Sequence, residues 1–136
     1  MTRIYFTLIT LSILNSCAGQ GPVLEKHESP SGRYTLEIML GDKANPRDKY
    51  GLMFRLIDKE KKQLDYIRTG SSDVMKWAVT WYNDTTIVLD SHDIGSYGWT
   101  VNEKGKLISV TSVERPMEDA AVEAFKKKYG KHGLQH

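Results

Sequence analysis

Over most of the chain, large apolar residues recur at every second position. Tyr34, Leu36, Ile38 and Leu40 alternate with Thr35, Glu37 and Met39, the period of a strand with one buried face. Tyr50, Leu52, Phe54 and Leu56 repeat the pattern, and the charged run 58–62 turns the chain into a partner strand over 64–69. Met75, Trp77, Val79 and Trp81 make the most apolar face, with Lys76, Ala78, Thr80 and Tyr82 opposite. Asn83, Asp84 and Thr85 then supply turn chemistry before the β-branched stretch 86–90. Residues 97–102 and 106–113 predict two further strands around the turn at 103–105. After Pro116 the period lengthens: Met117, Ala121, Ala124 and Phe125 form a helical stripe, with Val122 and Tyr129 at its edge and Gly130 as a stop. The pattern predicts a mainly β fold, a single antiparallel meander or small sandwich of about seven strands, with a C-terminal α-helix covering part of a sheet.

The N-terminal quarter of the chain is different. Arg3 precedes an apolar run over 4–14, too short for a membrane span of about 20 residues but suited to the apolar region of a signal peptide. Leu14, Asn15, Ser16 and Cys17 follow, and this tetrapeptide resembles the bacterial lipobox, with Asn15 where Ala, Ser or Thr is more usual. The resemblance covers residues 1–17. It implies cleavage between Ser16 and Cys17, a lipid on the Cys17 thiol, and a place in a bacterial cell envelope, on its periplasmic or surface side, with the membrane as first partner. Cys17 is the single cysteine of the chain, so disulfides within the chain are excluded and the odd thiol of an exported protein acquires a use. Residues 18–31 include Gly19, Gly21, Pro22 and Pro30 and few large apolar side chains, which reads as a flexible tether reaching about 40 Å at roughly 3.3 Å per residue. The expected division is a signal peptide over 1–16, lipidated cysteine and tether over 17–32, a globular domain over 33–130 and a tail over 131–136.

A second resemblance is internal to the domain. Ser29, Pro30, Ser31, Gly32, Arg33 and Tyr34 resemble the turn that feeds a strand in TolB-like propeller blades, and Thr80, Trp81, Tyr82, Asn83 and Asp84, followed by Ile87, Val88 and Leu89, look like a degenerate second copy. A propeller needs at least about four blades. One domain of this length does not hold them, so the resemblance implies a blade-like sheet and no carried-over binding residues.

Composition narrows the function classes. The 136 residues, less an export segment, leave material for one domain. A formal net charge of +2, with acids interspersed among the bases, provides no single-sign stripe to neutralise phosphates, so nucleic acid is not an expected partner. Lys126, Lys127 and Lys128 form the one basic cluster, and they suit a last helical turn complementing its dipole. No cofactor motif is present, and no catalytic set is assigned. Asn83, Asp84 and Thr85 match a glycosylation sequon, which a bacterial lipoprotein would leave unused.

Two stretches carry candidate chemistry. Asp90, His92 and Asp93 group one imidazole with two carboxylates, the residue types of a metal site or an oriented base, though at no recognised ligand spacing. Ser91 lacks the glycines of a nucleophile elbow. Tyr82, Tyr97 and Trp99, near Gly95 and Gly98, could with His92 and Asp93 form a surface for a glycan or an envelope protein, because aromatic faces supply contact area at low entropic cost. Trp77 and Trp81 belong to the core by their alternation. The leading expectation is a non-enzymatic binding or interaction module of accessory, inhibitor or immunity type, displayed on a membrane. An envelope-polymer enzyme or metal-binding protein using Asp90, His92 and Asp93, and a structural envelope lipoprotein, are the alternatives.

Overall fold

The computed structural model describes residues 20–130. Ser16, Cys17 and the tail 131–136 lie outside the described residues. The first four strands, β1 (Val23–Glu28), β2 (Tyr34–Leu40), β3 (Gly51–Asp58) and β4 (Gln63–Ser72), form one antiparallel meander in the order β1-β2-β3-β4. β5 (Trp77–Trp81), β6 (Thr86–Ser91), β7 (Gly95–Val101) and β8 (Leu107–Ser109) form a second in the order β5-β6-β7-β8. The fold is therefore mainly β, two four-stranded sheets and one helix, α1 (Arg115–Tyr129).

Alternation decides which residues meet. Leu36, Ile38, Phe54 and Leu56 from the first sheet and Trp77, Val79, Ile87, Leu89 and Trp99 from the second are buried in one shared core. Phe54 meets Trp99 edge-to-face at 5.0 Å, the arrangement favoured by the ring quadrupoles. The opposite face of the second sheet is covered by α1, where Val88 packs with Met117 and Ala121. Gly98 permits this close approach: a Cβ there would lie 2.8 Å from Val110 and 3.1 Å from Met117. Pro116 stands in the first turn of α1 and Lys126, Lys127 and Lys128 in the last, while Gly130 ends it at φ 74° with its N–H on the Lys126 carbonyl, in keeping with glycine's tolerance of positive φ.

The two sheets follow one plan. In the β3–β4 turn Asp58 N–H bonds the Lys62 carbonyl and Lys61 N–H bonds the Asp58 carbonyl; Asn102, Lys106 and Gly105 repeat both bonds in the β7–β8 turn. Lys61 and Gly105 share positive φ, 66° and 75°. The Ser29–Arg33 turn and its degenerate copy at Asn83 and Asp84 both join the first and second strands of their sheets, and they touch, with Ser31 N–H donating to Asp84 Oδ1 at 2.8 Å. The β1–β2, β3–β4, β5–β6 and β7–β8 turns thus lie at one end of the sandwich, the turn end. The 41–50 loop, the 73–76 connection and the 92–94 loop lie at the other, the loop end.

Three expectations need correction. The segment read as tether contains β1, so the fold begins well before Arg33. β1 is an edge strand whose polar residues need bury only one side, which hides its period from the sequence. β5 starts at Trp77, leaving Met75 exposed in the 73–76 connection instead of on the core face. β8 is three residues long; beyond it Val110 and Val113 pack beneath α1 instead of extending the strand.

Candidate functional site

A cavity of about 1070 Å³ forms a cleft between β1, β5 and α1. Its floor is small and apolar, Ala78, Val79, Ala120 and Ala124, and its rim carries four lysines against two glutamates. The edge strands of the two sheets face each other here, joined by the Trp81 indole N–H, which donates to the His27 carbonyl at 2.9 Å. Trp81 also stacks on Tyr34 with ring centroids 6.2 Å apart.

Charges at the cleft mouth are tied together. Glu25 Oε2 lies 2.8 Å from His27 Nε2, and Glu25 Oε1 lies 2.9 Å from Lys128 Nζ. Glu25 and His27 stand two apart on β1, so the pleat puts both on one face. Burial pushes the Glu25 carboxyl up, but the contacts with His27 and Lys128 outweigh it and hold the group below its ordinary value. Lys128 Nζ sits 3.2 Å from the centroid of the Trp77 ring, a cation–π contact that fixes the end of α1 over β5.

The backbone of β5 supplies the most specific feature. The Tyr129 hydroxyl accepts from Trp77 N–H at 3.1 Å and donates to the Trp77 carbonyl at 2.9 Å. Both groups therefore point away from β6, and the two-residue repeat of a strand turns the N–H and C=O of Val79 the same way, toward the cleft. One hydroxyl stands in for a neighbouring strand at Trp77. At Val79 no neighbouring strand takes that place among the described residues.

The residues singled out from the sequence do not form one surface, although the Tyr97 and Trp99 rings lie 6.5 Å apart and Asp90 and His92 share a cavity. Trp99, expected on a binding surface, is 5% exposed and belongs to the core, because its partner Phe54 lies on the facing sheet. Tyr82 is exposed beside the β5–β6 turn, whereas Tyr97, also exposed, pairs with Leu89 well along β7. Asp93 closes the 92–94 loop: its carboxylate accepts from the Ser71 hydroxyl at 3.0 Å, from Ser72 N–H at 2.8 Å and, at short range, from the Ser91 hydroxyl. Burial raises its carboxyl and these donors outweigh burial, leaving it below the ordinary value. The His92 ring stacks on Phe125 at 4.8 Å and lines a second cavity of about 610 Å³ with Asp90, Ser96 and Glu118. Among the described residues no three His, Cys, Asp or Glu side chains are grouped so as to hold a metal ion.

Sequence reasoning missed the cleft. Glu25 and His27 fall in a segment without apolar alternation, and Lys128 looked like part of a solvated helix end. The readable signal was the i, i+2 pairing of Glu25 with His27, which places acid and imidazole together only once β1 exists. Compared with known proteins, the chain matches no protein family, no curated protein and no solved structure.

Proposed function

We propose that this chain is a non-enzymatic binding module of a bacterial envelope, anchored through a lipid on Cys17, which takes an extended acidic segment of an envelope protein into the cleft between β1, β5 and α1. The observation that carries the reading is the β5 edge at Val79, unpaired among the described residues, beside a position where the Tyr129 hydroxyl already acts as a surrogate strand. A peptide strand laid there gains main-chain hydrogen bonds from Val79 and side-chain contact with an alanine-lined floor. The lysine excess at the rim favours carboxylates along that strand. Asp93, which an enzymatic or metal reading of the 90–93 loop would require, is committed to three serine donors.

Titration with short acidic, neutral and basic β-prone peptides, followed by amide chemical shifts, tests this. Acidic peptides should move the amides of Val79 and its β1 neighbours while those of the turn end stay still, and Lys127→Glu should weaken the response. If no peptide class moves the cleft amides, or basic peptides act as strongly as acidic ones, the reading fails.

A further inference from the structure

The loop end carries apolar side chains that the core does not take. Val74 is 70% exposed, Tyr50 53% and Met75 44%, and Val23 and Leu24 are exposed at the same end. They come from separate elements that register brings to one end of the sandwich: Val23 pairs with Met39, Gly51 pairs with Ser72, and Asp73 N–H bonds the Tyr50 carbonyl at 2.8 Å. Exposed cations stand among them, Lys43, Arg47, Lys49 and Lys76, with Lys49 Nζ 5.2 Å from the centre of the Tyr50 ring.

The segment leading into β1 also passes this end. Leu40 N–H bonds the Pro22 carbonyl at 3.1 Å, and a Cβ on Gly21 would come within 2.4 Å of the Leu40 carbonyl, so the backbone is pressed onto the sheet. Gln20 then folds back over the face of the first sheet, tied to Arg55 in the middle of β3 at 2.7 Å and to Gln63 at the start of β4 at 3.2 Å. Cys17 precedes Gln20 by three residues, which span only about 10 Å when extended. The long tether expected from the sequence does not exist, and an anchor on Cys17 holds the domain at the bilayer surface.

We propose that the loop end docks on an anionic lipid surface, with Val74, Met75 and Tyr50 at the head-group level and the surrounding lysines on lipid phosphates. This rests on the reading that Cys17 carries the anchor. The division of chemistry is that of an interfacial membrane contact: apolar and aromatic side chains enter the boundary region while long basic side chains stay with the phosphates. A free apolar cluster in open water would invite self-association; turned toward the bilayer, it is covered.

The test uses the full chain, processed and lipidated in a bacterial host and reconstituted into vesicles of phosphatidylglycerol and phosphatidylethanolamine with bromine-labelled acyl chains. Lipidation removes the Cys17 thiol, so Val74→Cys at the loop end and Lys104→Cys at the turn end each accept one fluorophore, and both positions are exposed. The Val74 reporter should lose most of its emission and shift to the blue, the Lys104 reporter should keep its own, and the contrast should shrink in phosphatidylcholine vesicles. Protein that floats with the vesicles while both reporters behave alike leaves the anchor standing and overturns the docking. Unquenched Val74 reporters that cross-link to each other overturn it in favour of a second copy as the cover. Protein that does not float, with its Cys17 thiol open to the fluorophore, overturns the anchor reading and the docking together.

Discussion

Replacing Tyr129 with phenylalanine isolates the device that closes part of the β5 edge. The substitution removes one oxygen and keeps the ring, which lies 4.7 Å from Phe125 and within reach of Lys76 and Lys128. What is lost is the pair of bonds to Trp77 N–H and C=O. A hydrogen bond contributes about 1 kcal/mol net, and water entering from the cleft replaces part of what two of them supplied, so Tyr129→Phe should cost about 1–2 kcal/mol. For a domain of this size that is a fall in Tm of roughly 4–8 °C. Thermal unfolding followed by circular dichroism measures the loss, and hydrogen exchange locates it: the Trp77 amide should be protected in the wild type and exchange much faster in the variant. Unchanged melting together with a still-protected Trp77 amide would show that the hydroxyl is not the partner, and the open-edge argument for Val79 would fall with it.

Trp99→Ala should destabilise by about 3–5 kcal/mol, since it removes a ring packed on Phe54 across the two sheets; near-normal denaturant unfolding would place Trp99 outside the core. A fragment starting at Gln20 should fold, whereas one starting at Arg33 should melt far lower or aggregate, because it strips β1 and leaves β2 as a long apolar edge; equal melting of the two would refute the role given to β1. Glu25 and Asp93 are both held below their ordinary values in the folded state, so each contributes stability that is present above about pH 4 and lost as pH falls through the lower folded value. Glu25→Gln and Asp93→Asn should therefore each flatten the acid limb of a Tm-against-pH curve, and curves parallel to the wild type would refute the pairing.

The sequence by itself determined the class of the fold, the places of most strands and the helix, because period and turn chemistry are local: Leu36, Ile38, Phe54 and Leu89 point inward wherever their strands end up. It also placed Pro116 and Gly130 at the ends of α1. Tertiary structure alone decided three things. β1 exists because β2 offers an edge to pair with, a hairpin pairing that the polar residues of β1 do not advertise. Trp99 became core because the facing sheet presents Phe54, whereas Tyr97, two residues earlier and on the same face by alternation, stays exposed. The cleft arises where two edge strands from different sheets meet the last turn of α1, bringing Glu25 and Lys128 within 2.9 Å although they stand far apart in the chain. Local period specifies which face of a strand is apolar; which strand lies beside which, and what their edges enclose, depends on packing that no single segment carries.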